Sequence, residues 1–205
     1  MNIQPLTLEG AHVRLEPLAL KHADDLFAVA QYPEIWELLI GAQPKTREEM
    51  QAWIGKSLEQ VAAGTNIWFA IVRRADNRAV GMTSYLNIQR IDRGLEIGGT
   101  LLTPSVWRTA INTECKYLLL RHAFETLGCV RVQLKTDERN VRSQRAIERL
   151  GAVKEGVLRK YQVTHSGYQR NTVMYSVVEN EWAEVKKRLE EMLKTQNVKR
   201  KIMKL

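Results

Sequence analysis

The apolar positions of this chain follow two periods, and the switches between them mark its elements. Val13 and Leu15 alternate with charged neighbours and predict a first strand over 12–18. Ala23, Leu26, Phe27 and Ala30 then fall on one helical face, over 20–32, and Pro33 stops that helix. A short second helix is expected over 34–40, ended by Gly41. Met50, Trp53, Ile54, Leu58 and Val61 give a third helix over 46–63, with Thr46 as its cap and Gly64 beyond its end. Two strands follow, 67–73 and 79–88, joined by a turn at Asp76-Asn77, and then a third over 95–102. Gly98-Gly99 interrupts that third strand and predicts a bulge or a close backbone approach.

The middle of the chain, Thr103 to Leu127, reads as a Pro-containing loop leading into a helix. Asn112 is the expected cap of that helix, and Leu120, Ala123, Phe124 and Leu127 form its buried face. Beyond Gly128, Val130, Val132 and Leu134 alternate with Arg131, Gln133 and Lys135 as a strand. A loop over 136–140 leads to a helix capped near Asn140, with Ser143, Ala146, Ile147 and Leu150 facing inward and Gly151 at its end. Two antiparallel strands are expected over 152–162 and 171–175, turning at His165–Gly167. Ser176 and Glu179 have capping-box spacing, and a last helix carries Trp182, Val185, Leu189 and Met192 on one side as far as about Lys194. Without repeat, low-complexity linker or second core, these elements imply one α+β domain over 1–194 and a basic tail over 195–205.

Composition changes this picture little. A length of 205 residues suffices for one well-cored domain, and no apolar run reaches the ~20 residues of a membrane span. The start MNIQPLTLEG lacks the basic and apolar regions of a signal peptide, so the expected setting is cytoplasmic. The two cysteines, Cys115 and Cys129, lack metal or redox spacing, and the histidines add no metal pattern, so no metal is expected. The net charge is +8, and the tail supplies much of it through Lys199, Arg200, Lys201 and Lys204. The tail reads either as a solvated end or as a contact for ribosome or RNA.

The candidate chemistry lies in two successive strand–loop–helix units. In the first, the start of a helix follows a strand across a short loop carrying Arg108. Free amides, a helix dipole and a cation there suit an anion. Cys115 and His122 lie at i and i+7 of that helix, but nothing beside them completes a nucleophilic triad, and they read as ordinary helix residues.

The two units, EIGGTLLTPSVWRTAINTE and VQLKTDERNVRSQRAIERLG, together with the opening LEGAHVRLEPLALKHADDL, resemble the GNAT (Gcn5-related N-acetyltransferase) superfamily. The similarity is to its branch of ribosomal-protein N-terminal acetyltransferases of the RimJ/RimL type, and the N-x-x-S-x-x-x-x-E-x-x-G run from Asn140 to Gly151 is a strong mark of it. The resemblance implies a mixed, mostly antiparallel twisted sheet flanked by helices, with a splayed central strand pair forming an acetyl-CoA cleft. It implies acetyl-CoA as donor and an amine, on a protein N-terminus or a small molecule, as acceptor. The superfamily's pyrophosphate loop, Q/R-x-x-G-x-G/A, matches Trp107, Arg108, Thr109, Ala110, Ile111 and Asn112, with Thr113 following. Trp, Ala and Asn thus stand where the pattern has Gln or Arg, Gly and a small residue.

By the same resemblance, Thr100, Leu101 and Leu102 border the pantetheine arm, and Asn140 and Ser143 help hold it. Glu96 is the expected general base, or else an ion-paired strand residue, and Tyr161 or Ser143 the expected acid. Helices and strands of the first half are expected to form the acceptor pocket, with Tyr32, Trp36, Met82 and Tyr85 as its large groups; Trp53 reads as core. The competing reading is a CoA-binding or inactive module that docks to ribosome or RNA through the tail. The last helix either caps the core or pairs with a second subunit.

Overall fold

A computed structural model describes residues 1–202, with side chains to Gln196. Eight strands form one sheet, in the order β1-β2-β3-β4-β5-β6-β8-β7. The first five are β1 (Leu8–Glu9), β2 (Val13–Pro17), β3 (Ile67–Arg73), β4 (Arg78–Gln89) and β5 (Gly94–Leu102), each antiparallel to the last. Next come β6 (Arg131–Asp137), β7 (Val153–Val163) and β8 (Gln169–Val178). β5 and β6 run parallel and pair only over Gly94–Glu96 with Arg131–Gln133. Beyond that point β5 continues to Leu102 and β6 to Asp137 without pairing, so the two strands splay.

Six helices flank the sheet: α1 (Ala23–Ala30), α2 (Pro33–Trp36), α3 (Arg47–Ala62), α4 (Ala110–Arg121), α5 (Val141–Leu150) and α6 (Trp182–Ile202). Strand alternation divides their packing. One face presents Leu15, Phe69, Tyr85, Ile97, Leu134 and Tyr175 to α4, α5 and α6. The opposite face presents Trp68, Ala70, Met82 and Leu101 to α1, α2 and α3. That second cover lies over β3 and β4. Past β5 the same face turns polar, with Glu96, Gln133, Lys135, Asp137 and Thr172 in cross-strand register.

Several boundaries differ from the sequence pattern for local reasons. A 3-10 turn, Leu20–His22, precedes α1, and α2 is a single turn opened by Pro33. α4 starts at Ala110, two residues before the expected cap, because the Thr109 hydroxyl accepts the Ile111 amide and holds the helix open there. It closes in a π-helical turn, His122–Thr126. Ser176 sits inside β8 and donates to Glu155, so it caps nothing. The turn before α6 is instead held by Glu181, which accepts the Val178 amide. α6 runs on through Lys194 to Ile202, and the tail's basic side chains at 199–204 lie outside the described residues.

One carboxylate ties the N-terminus to the centre of the fold. Glu114 of α4 is buried and accepts the amides of Ala11, His12 and Val13 at 2.8, 2.6 and 2.9 Å. A Cβ on Gly10 would lie 2.6 Å from that carboxylate, so the β1–β2 turn needs glycine there.

Candidate active site

The splay is built by a bulge in β5. Pairing with β4 shifts between Met82 and Ser84, and Gly99 takes φ +58, the left-handed region that favours glycine. A Cβ on Gly99 would also lie 2.6 Å from the Trp68 ring. Ser84 Oγ donates to the Gly98 carbonyl at 2.9 Å and fixes the bulge on its inner side.

Glu96 stands two residues before this bulge, 1% exposed. Its Oε2 accepts three hydrogen bonds, from Asn87 Nδ2 (2.6 Å), Gln133 Nε2 (3.0 Å) and Lys135 Nζ (3.0 Å). Its Oε1 makes no hydrogen bond among the described residues and lies beside Gly98, 2.8 Å from where a Cβ would stand. Lys135 Nζ in turn sits 5.4 Å from the centre of the half-exposed Tyr161 ring. Glu96, Lys135 and Tyr161 therefore form one chain along the polar face.

On the other side of the sheet, two helix starts meet near the end of β5. Trp107 Nε1 donates to the Leu102 carbonyl at 2.9 Å, which anchors the loop before α4. Arg108 takes φ +62, an unusual backbone state for arginine, and the chain then enters α4 at Ala110. In the first turn of α4 the amides have no acceptor within the helix, and only that of Ile111 is capped by a side chain. Asn140 Oδ1 accepts the Ser143 amide at 3.0 Å and caps α5. The Arg142 guanidinium stacks 3.8 Å from the Trp107 ring centre and joins the two helix starts, while Arg149 in the last turn of α5 donates to Thr113 of α4. Arg108 and Arg142 are exposed, and neither forms an ion pair among the described residues. The result is a cationic mouth lined by free amides.

A third feature is a cleft of about 870 Å³ at the far end of the polar face. Trp36, Pro44, Trp53 and Lys56 form one side, and His165 and Ser166 of the β7–β8 turn the other. The His165 amide donates to the Ile40 carbonyl and holds the turn there. Trp53 packs edge-on against Trp68, 4.9 Å between centres, and Trp68 abuts Gly99. An aromatic path thus runs from the cleft to the bulge.

The family model for the acetyltransferase (GNAT) domain matches residues 12–153. The chain belongs to the GNAT acetyltransferase family. Its similarity to a GCN5-related N-acetyltransferase from Brucella melitensis is 30% identity with a TM-score of 0.85, covering 94% of this chain and 90% of that one. A RimJ from Mycobacterium smegmatis, solved in complex with CoA-disulfide, shares the fold at a TM-score of 0.79 and 20% identity, over 93% of this chain and 97% of that one. Among curated proteins, an uncharacterised N-acetyltransferase of Bacillus subtilis, YoaA, is 30% identical over 112 residues. That match spans 55% of this chain and 62% of YoaA.

For this GNAT domain, the structure brings many of the expected residues together and separates others. Trp107 to Thr109 form the loop and Ala110 to Thr113 the first turn of α4, and Arg108 carries the positive φ. Thr100, Leu101 and Leu102 follow the bulge, although the Leu102 carbonyl is already taken by Trp107. Ser143 lies at the α5 start and has no contact with Glu96 among the described residues, whereas Tyr161 is linked to it through Lys135.

The expected pocket wall needs correction. Met82 and Tyr85 are both fully buried, three residues apart on β4, and therefore face opposite cores. Tyr85 donates its hydroxyl to the Leu119 carbonyl beneath α4, and Met82 packs under α1 and α3. Tyr32 is exposed at the start of α2, outside the cleft lining. Trp36 does line the cleft, with its indole N–H held by the Ala30 carbonyl. Trp53, expected in the core, is half-buried and lines it too. Cys115 and His122 are buried, and burial pushes the Cys115 thiol up to about 11, so neither acts as a nucleophile.

Lys116 was not singled out by the sequence. It is buried on α4 with its Nζ 2.6 Å from Thr100 Oγ1, which meets Thr83 Oγ1 at 2.8 Å. No carboxylate lies within 4 Å of it among the described residues, and burial lowers its pKa.

Proposed function

We propose that the protein is an acetyl-CoA-dependent N-acetyltransferase that acts on a primary amine by direct transfer. The observation that carries this reading is the single unpartnered oxygen of Glu96, beside the bulge at which β5 leaves β6. An acetyl thioester supplies the activated acyl group, and its diphosphate suits the cationic mouth. The free amides of the α4 first turn, with Arg108 and Arg142, would hold that anion. The chemistry of these groups fits a diphosphate without glycine, because the loop places its positive φ at Arg108 and leaves Ala110 inside the helix.

Glu96 then takes the proton that an attacking amine must lose, at Oε1, directly or through a water. Asn87, Gln133 and Lys135 hold the other oxygen and orient the carboxylate. As the new C–N bond forms and the C–S bond breaks, the leaving sulfur needs a proton, and Tyr161, linked to Glu96 through Lys135, is the residue we assign to supply it. The cleft lined by Trp36 and Trp53 leads the acceptor to the bulge.

Turnover of acetyl-CoA with a panel of amines and peptide N-termini, read by mass spectrometry, tests the activity. Glu96→Gln should lower kcat by about 100-fold or more, within the range for a general base. It should also remove the ascending limb of the pH profile while leaving the KM for acetyl-CoA unchanged. Unchanged kcat and profile would overturn the assignment.

A further inference from the structure

Arg170 opens β8 just behind the turn that borders the cleft, and it is 5% exposed. Its guanidinium makes no hydrogen bond to any described residue, and Nε is both buried and unpartnered. Asp137 is its nearest carboxylate, with Oδ2 4.0 Å from Nε. That distance is too long for a hydrogen bond, and Asp137 is already engaged. Arg139 donates to it from Nε (3.0 Å), from Nη2 (2.8 Å) and from its own backbone amide (2.9 Å). Burial alone would push the Asp137 carboxyl up, and those hydrogen bonds outweigh it and lower its pKa. Asp137 thus stands between two guanidinium groups, the half-exposed Arg139 that hydrogen-bonds it and the buried Arg170 that pairs with it only at 4.0 Å, and the trio carries one positive charge in excess.

Of the three other buried atoms without a partner among the described residues, Gln196 Oε1 lies apart on α6, and Thr172 Oγ1 and Gln162 Oε1 lie close to Arg170 in the sheet. Both lie on the same sheet face as Arg170: Gln162 is its cross-strand partner, and Thr172 is two residues along β8, opposite Asp137. Rotation of the Gln162 amide by half a turn presents its N–H₂ in place of its oxygen. The guanidinium, the Thr172 hydroxyl and the Gln162 amide then offer three donors on one sheet face.

A buried guanidinium with no hydrogen bond is costly unless an anion completes it. We infer that Arg170, Thr172 and Gln162 form an anion-anchoring subsite for the acceptor, and that the acceptor is an amine carrying a carboxylate. The inference rests on the proposed transferase reading, since the subsite lies on the same polar face as Glu96. One surplus positive charge matches a monoanion; a phosphate dianion would leave a negative charge uncompensated in a buried site. The subsite lies beyond Lys135 along β6, so the anchored group sits at a distance from the proton acceptor, as the two ends of an amino acid would require.

The test uses the full chain with CoA bound. Glycine, β-alanine, 4-aminobutyrate and 6-aminohexanoate are titrated by calorimetry, each against its carboxamide, and acetyl transfer is measured for the same pairs. At least one acid should bind about tenfold more tightly than its amide, the scale of one charge-assisted hydrogen bond. Arg170→Met should erase that preference, Arg170→Lys should keep part of it, and both should leave the KM for acetyl-CoA unchanged. Equal affinity for acids and amides across the series overturns the inference, and so does a preference that survives Arg170→Met. A higher Tm for Arg170→Met without loss of any preference would mean a water-filled pocket and would also overturn it. The two readings fail separately. Acids bound selectively but never acetylated would sink the transferase reading alone, and amines acetylated without regard to charge would sink the subsite alone.

Discussion

Lys116 shows what a single buried charge does to this fold. Among the described residues its ammonium bonds Thr100 Oγ1 alone, and burial holds its pKa below the ordinary value. The unfolded chain therefore binds the proton more tightly, and the charged form costs stability at neutral pH. That cost fades as pH rises from the lowered folded pKa towards the unfolded value near about 10.4. Relative to wild type, Lys116→Met should therefore have its largest advantage near neutral pH, and urea unfolding should show that advantage shrinking as pH rises towards about 10.4. A difference that does not change with pH would show that the amine is solvated. Single residues were also where the sequence misled. Met82 and Tyr85 were grouped as large side chains, but an odd spacing on one strand sends them to opposite faces. Arg170 escaped notice because the last strand was expected to start at Asn171, which left this arginine in a turn instead of on a buried face.

At the scale of elements, the bulge and the two helix starts were legible, because glycine pairs and capping residues act locally. Gly98-Gly99 predicted the bulge, and Asn140 predicted its helix cap. The start of α4 was not legible to the residue. Thr109 and Asn112 are both capable caps, and the choice is made by tertiary contacts, chiefly the tie from Trp107 to Leu102. Nor did the sequence show that Glu114 of α4 serves the N-terminal strands. One carboxylate accepting three amides joins elements about a hundred residues apart. Glu114→Ala should strand those amides and cost about 3 kcal/mol, a fall in Tm of roughly 6 to 12 °C for a domain of this size. Calorimetric unfolding measures it, and a change under 2 °C, well below about 1 kcal/mol, would show that the turn finds other partners.

For the whole molecule, the division of labour follows from how far the helices reach. α1, α2 and α3 cover one face only over the first strands, so the remainder of that face can be polar and still be part of the fold. The α+β class was legible in the alternation of strand and helix periods, whereas the single mixed sheet and the splay were implied by the resemblance to the GNAT superfamily. The buried polar network was not legible. Arg131, Gln133 and Lys135 alternate as an outward face would, yet Gln133 and Lys135 are partly buried and both bond the buried Glu96. Among the described residues no helix is long and apolar enough to cross a membrane.

The central claim is that the cationic mouth at the start of α4 receives the diphosphate of acetyl-CoA. Ala110→Glu tests it with little risk to the fold, since a carboxylate in the first turn suits the positive end of a helix. Titration calorimetry of acetyl-CoA into wild type and variant is the measurement. The account predicts that the variant binds at least about tenfold more weakly, the scale of one misplaced charge, with an unchanged or higher Tm. Equal affinity in the two proteins would contradict it and place the cofactor elsewhere.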